Sequence, residues 1–194
     1  MLSSPYLSEH SLKSQNAFRA LMNAMAQPGT FQRLVPDLAV PPPLQSVSAA
    51  LLIALSDFET TIWLDQSLAD AIEVGDFLRF HTGSKLVSNP AEADFGLVAT
   101  QHAMPALSAY AQGTLEYPDR STTVIIQVDN LQTVGWQLSG PGIRDINRFS
   151  AGPLPDDFVA QLNARPFPCG VDVVFVAGDK IAALPRSTRV SEDG

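Results

Sequence analysis

Two periodicities of apolar residues divide this chain. Near the start, Phe18, Leu21, Met22 and Met25 fall at i, i+3, i+4 and i+7, the spacing of one helix face. With Ser14 placed to cap it and Pro28-Gly29 to stop it, the pattern predicts a helix over 14–27, preceded by an N-terminal arm at 1–13. Residues 31–35 read as a short strand, and Pro36 with Pro41-Pro42-Pro43 as a rigid connection too short to link domains. Residues 47–55 are apolar almost all round and predict a helix packed on a sheet. A strand is expected at 60–64, a short helix at 68–74, a strand at 77–80, a strand at 95–100 and a short helix at 104–110. Asn89-Pro90 opens a helical turn, with proline at its first position.

The second half reads mainly as strands. Residues 121–128, rich in Val, Ile and Thr, predict a long strand paired antiparallel with 133–138 across Asp129-Asn130. A helix is expected at 155–163. Val171, Val173, Val174, Phe175 and Val176 then make a nearly continuous β-branched and aromatic run, the mark of a strand buried on both faces. Ala177-Gly178-Asp179-Lys180 is a hairpin turn, residues 181–184 return, and Pro185 stops the strand because it cannot donate to a ladder. Alternation early and hairpins late predict a single α/β domain over 1–194, with three α/β/α layers and a mixed sheet.

Composition narrows the partners. At 194 residues, only 16% charged and 45% apolar, the chain suits one domain with extra buried surface, and so a complex subunit or oligomer. A net charge of −8 disfavours nucleic acid, although a local arginine cluster can still take an anion, and nine of the twelve basic residues are Arg. The lone Cys169 excludes an intrachain disulfide and reads as a packed small residue. The N-terminus has no basic-then-apolar leader, and no apolar run approaches the ~20 residues of a membrane span, so a soluble, cytoplasmic protein without a membrane partner is expected.

No complete catalytic motif is present. Gly83-Ser84-Lys85 lacks the spacing of a P-loop, Ser139-Gly140-Pro141-Gly142 lacks the glycine that precedes a nucleophile elbow, and His10, His81 and His102 show no metal spacing. Three polar clusters are candidates for ligand or partner contact. Arg79 and His81, with Thr82, follow the strand predicted at 77–80 and would point to one side of its end. They offer an anion or ribose contact or a partner patch, or they anchor a turn by buried hydrogen bonds. Backbone N–H groups of Ser139, Gly140 and Gly142 would cradle an anion, or the loop is simply a tight turn. Arg186 and Thr188, with Ser187 and Arg189, would bind phosphate or a partner's carboxylates, or form a solvated tail.

Four segments, in order, carry a family resemblance. They are Gln15-Asn16-Ala17-Phe18-Arg19 with Met25 and Pro28-Gly29; Leu78-Arg79-Phe80-His81-Thr82; Leu138-Ser139-Gly140-Pro141-Gly142-Ile143; and Gly170-Val171-Asp172 through Pro185-Arg186. Together they resemble the H subunit of the bacterial carbon–phosphorus lyase system, over residues 14–190. The resemblance implies a fold like the large domain of pyridoxal-phosphate-dependent transferases. It also implies partners: the G, I and J subunits with the L and K proteins, and a homodimer when isolated. In that family the G, H and I subunits, helped by L, displace adenine from ATP with methylphosphonate to give α-D-ribose 1-methylphosphonate 5-triphosphate. A radical iron–sulfur subunit later cleaves the carbon–phosphorus bond.

ATP is then a substrate of the complex, and no cofactor is expected on this subunit. Pyridoxal phosphate needs a preorganised lysine, and Lys13, Lys85 and Lys180 fall in an arm, a loop and a hairpin turn. Three functions stay open: a substrate-shaping subunit completed by partners, a scaffold without a ligand site, and a self-contained enzyme acting on a phosphorylated nucleoside through Arg79 and His81.

Overall fold

The computed structural model describes residues 9–192. Helix α1 (Glu9–Ala26) leads into β1 (Gln32–Arg33), α2 (Ser46–Leu55), β2 (Thr61–Leu64), α3 (Gln66–Asp70) and α4 (Ile72–Thr82). Strands β3 (Lys85–Val87), β4 (Phe95–Val98), β5 (Thr123–Gln127), β6 (Asn130–Ser139) and β7 (Asn147–Gly152) follow. Helix α5 (Phe158–Asn163) precedes β8 (Asp172–Ala177), β9 (Lys180–Leu184) and β10 (Arg189–Ser191). Among the described residues no helix is long and apolar enough to cross a membrane.

The closing hairpin forms where its pattern places it, and it organises the core. Val173, Val174, Phe175 and Val176 of β8 are fully buried, so the strand needs cover on both faces. Val174 and Val176 pack with Ala17, Leu21, Leu51 and Leu52 of α1 and α2. Val173 and Phe175 pack with Phe149 of β7 and Phe158 of α5, with ring centroids 5.5 and 6.0 Å from Phe175. The mixed main sheet runs β1-β9-β8-β5-β4-β2-β3, with β3, β2, β4, β5 and β8 parallel and β9 reversed.

Several expectations are corrected. The layer opposite α1 and α2 is a second sheet, β10-β6-β7, together with α5, instead of a helical layer. The segment expected beside β5 is the middle of that second sheet: β6 pairs with β7 and β10, and β5 lies between β4 and β8. The reason is burial. Val124, Ile125 and Ile126 of β5 are fully buried, whereas β6 is exposed along most of its length and would carry polar groups into the core.

The predicted strand at 77–80 is the end of α4, where Val74, Leu78 and Thr82 recur at i, i+4 and i+8 on the buried face. Gly83, at φ +73°, ends that helix in the left-handed conformation, its N–H donating to the Arg79 carbonyl. The helix expected at 104–110 is instead a 3₁₀ turn over 107–109, with another at 101–103. Of the arm expected at 1–13, residues 9–13 already belong to α1 and 1–8 lie outside the described residues. The buried stripe of α1 is Ala17, Leu21 and Ala24, and Phe18 and Met22 are 46% and 43% exposed. Small residues at 17 and 24 let the helix lie close to the sheet.

Candidate functional site

The C-terminal candidates gather around an arginine that no sequence pattern marks. Arg165, just beyond α5, is 9% exposed. Its Nε donates to the Leu162 carbonyl at 2.6 Å, Nη1 to those of Val171 and Leu184 at 3.1 and 3.3 Å, and Nη2 to that of Thr188 at 3.1 Å. One guanidinium thus ties the end of α5 to the residue before β8, to the end of β9 and to the approach to β10. Burial pulls its pKa down to about 10, opposed by Asp172 and aided by Arg186, which leaves it cationic at neutral pH. Gly170, at φ +109°, makes room: a Cβ there would sit 2.9 Å from that of Arg165.

Arg186 follows Pro185 and is also held. Its backbone N–H and Nε donate to Asp172 Oδ1 at 2.7 and 3.2 Å, and Nη2 to Oδ2 at 2.5 Å. Nη1 donates to the Pro118 carbonyl. With the two side chains only 17% and 12% exposed, this is a bidentate pair sheltered from water. Of the two readings of this segment, the solvated tail does not form: residues 189–191 make β10 against β6, and Thr188 and Val190 are buried.

Ser139 and Gly140, from the end of β6, meet Arg165, Arg186, Thr188 and Arg189 around one cavity of about 440 Å³. Phe167, 68% exposed, also lines it. Four residues singled out in the sequence, Ser139, Gly140, Arg186 and Thr188, thus come together. Gly142 does not: it closes the loop on the end of α1, where a Cβ would overlap the Ala26 carbonyl. The Thr188 hydroxyl is buried without a hydrogen-bond partner.

The cluster at 79–82 is dispersed by its helix. Residues two apart on a helix lie about 200° apart, so Arg79 and His81 do not share a side. Arg79 donates to Asp76 Oδ1 at 3.3 Å and lines a cavity of about 680 Å³ beyond the ends of β2 and β3, with Trp63, Gln66 and Ser88. His81 packs instead against the rings of Phe77 and Phe80, with centroids at 4.3 and 5.1 Å. Thr82 serves the helix end: its hydroxyl donates to the Leu78 carbonyl at 2.7 Å and accepts from the Ser84 N–H at 3.0 Å.

Beside that cavity the chain leaves β2 for β3 on one side and returns to β4 on the other. Open α/β sheets bind ligands at such a switch point. Here Asp65, fully buried, takes the donors itself: Oδ1 accepts from Ser67 Oγ and the Leu68 N–H at 2.9 and 3.0 Å, and Oδ2 from the N–H groups of Ala99 and Thr100 at 2.8 and 2.7 Å. The sequence signal was an aspartate between a strand and a helix start, the position of an N-cap.

Among the described residues, no His, Cys, Asp, Glu or Lys side chain lines either cavity. Among the described residues no group of three His, Cys, Asp or Glu is placed to hold a metal ion. Fold and sites define an α/β protein with an arginine-lined cavity and, among the described residues, no acid–base pair in its wall. The chain belongs to the family of bacterial phosphonate metabolism proteins (PhnH), whose model matches residues 5–191. It is 35% identical over 185 residues to the Alpha-D-ribose 1-methylphosphonate 5-triphosphate synthase subunit PhnH of Rhizobium meliloti (strain 1021), covering 93% of this chain and 92% of the relative. It is 31% identical over 189 residues to the Putative C-P lyase subunit protein HtxG of Stutzerimonas stutzeri, covering 94% of this chain and 88% of the relative.

Proposed function

We propose that this chain is the H-type subunit of a carbon–phosphorus lyase complex, shaping substrate and assembly while partner subunits complete the chemistry. The observation that carries this is the family match over residues 5–191, joined by two relatives with subunit names that cover nearly the whole chain. On this reading the complex exchanges the adenine of ATP for methylphosphonate. The partners are the G, I and J subunits with the L and K proteins, a homodimer forms in isolation, and the setting is the cytoplasm. The chain acts as one domain.

The cationic cavity fits a subunit that holds an anion and leaves proton transfer to others. Separation of Arg79 from His81 removes the centre around which a self-contained enzyme was drawn. Kinship with the large domain of pyridoxal-phosphate-dependent transferases enters this reading as fold alone. Lys13 lies on α1 and borders a cavity of about 480 Å³ beside β1, Lys85 opens β3 and Lys180 opens β9, and none of the three lines the cavities at Arg79 or Arg186.

Co-purification of the tagged chain from phosphate-starved source cells, read by mass spectrometry, tests the proposal. Recovery of other lyase subunits, with loss of growth on methylphosphonate when the chain is deleted, is the expected result. Recovery of the chain alone, with growth unaffected by its deletion, refutes it.

A further inference from the structure

We infer that the cavity walled by Arg165, Arg186, Thr188 and Arg189 binds a chain of phosphates. This rests on the reading above, in which the complex handles a triphosphate. Charge is the first ground. Three guanidinium groups border the cavity, among the described residues no acidic side chain lines it, and Asp172, paired with Arg186, offsets one of the three charges and leaves those of Arg165 and Arg189 in excess. In a chain of net charge −8 this is a local reversal of sign.

The arginines divide the work. Arg165 is fixed by four neutral carbonyls and so supplies a field that needs no rearrangement when a ligand arrives, whereas Arg186, offset by Asp172 and tied to Pro118, shapes the wall. Arg189, on β10, is exposed and supplies a fork suited to phosphate oxygens.

The second ground is an unfilled valence. Buried hydroxyls nearly always have partners. Thr188 is 3% exposed, lines this cavity, and its hydroxyl has none. Turned toward the cavity by rotation about χ1, it would donate to a phosphate oxygen. The third ground is shape. Gly140, at φ +131°, lets the Ser187 carbonyl come close, 2.9 Å from where a Cβ would sit, so that the end of β6 and residues 187–188 meet at one wall, and a volume of about 440 Å³ falls in the range of small-molecule sites. Two uncompensated cations around one concavity match a multiply charged chain better than the single carboxylate of a docked side chain.

The test is calorimetric titration of the purified chain with inorganic tripolyphosphate, beside orthophosphate and an oligoglutamate of matched charge. Thr188→Val removes a hydroxyl with no bond inside the protein, so its urea midpoint should match or exceed that of the parent and its binding should report the ligand alone. Arg189→Gln alters an exposed side chain. Tripolyphosphate should bind more tightly than either competitor. Affinity should fall about tenfold in Arg189→Gln, the equivalent of one charge-assisted hydrogen bond, and roughly threefold to tenfold in Thr188→Val, the equivalent of one neutral bond.

Absence of tripolyphosphate binding at millimolar concentration, unchanged affinity in both variants, or tighter binding of oligoglutamate would overturn the inference, the last making the cavity a docking site for a partner's acidic segment. If binding fails while lyase subunits still co-purify, only this inference falls. If binding holds and co-purification fails, the subunit reading falls and the anion site stands.

Discussion

Replacing Arg165 by leucine removes a guanidinium and leaves the carbonyls of Leu162, Val171, Leu184 and Thr188 without the bonds it donates. A buried acceptor stripped of its partner costs about 1–3 kcal/mol. The middle of that range, ~2 kcal/mol, applies here, because the cavity beside Arg165 lets water reach only some of these oxygens. Leucine also escapes the desolvation penalty that the buried cation carries, several kcal/mol in its favour. Four acceptors at ~2 kcal/mol each, less about 4 kcal/mol regained, leave a net loss of roughly 4 kcal/mol.

For a chain of this length that lowers Tm by roughly 8–16 °C. Urea unfolding followed by tryptophan fluorescence measures the loss. Hydrogen exchange locates it, with protection falling first at 185–191, the segment tied down through the Thr188 carbonyl. A lysine at 165 keeps the charge but lacks the planar fork, and should fall between wild type and leucine. A leucine variant within 1 kcal/mol of wild type, with unchanged exchange at 185–191, would refute the view that this guanidinium holds the C-terminal turn together.

Two further outcomes are expected. Asp65→Asn turns an amide N–H toward the donors of Ala99 and Thr100 and should cost about 2–3 kcal/mol in urea unfolding, with faster exchange at those two amides; a change below about 0.5 kcal/mol would contradict it. Tyr110→Phe should leave stability at pH 7 unchanged or raise it by up to ~1 kcal/mol, because the phenol hydroxyl is buried without a partner. Burial, with Asp65 nearby, pushes the folded-state pKa of Tyr110 above its ordinary 10, so above that pH the unfolded chain sheds a proton the folded one keeps, and stability falls as pH rises. The phenylalanine variant should lose that part of the alkaline slope, and identical slopes in alkaline urea titrations would refute the assignment.

The closing hairpin was legible because its signals agree: a β-branched run, a Gly-Asp turn and a terminating proline all specify one structure. The strand assigned at 77–80 failed because four residues cannot separate a buried strand from a helix end. The helical period becomes visible only when Val74 is read together with Leu78 and Thr82. Asp129-Asn130 carries good turn chemistry, but turn chemistry does not say whether the chain returns to the same sheet. That was decided by the polar length of β6 against a fully buried β5. Within the site, Arg186 and Thr188 could be suspected from composition at a strand end. Arg165 could not, since its role depends on carbonyls contributed by residues 162, 171, 184 and 188, which only the folded topology brings together.

Strand β1 pairs with β9, Gln32 facing Ile181 and Arg33 facing Lys180, and β8 fills the place between β9 and β5. During synthesis, then, α1 and α2 leave the ribosome long before the surface they cover exists. Val124, Ile125 and Ile126 wait on an unpaired edge until residues 172–177 emerge. Vectorial folding cannot close this sheet from the N-terminal end. The chain must hold its first half open until its last strands arrive, and a product that stops short of β8 exposes an adhesive edge to its neighbours.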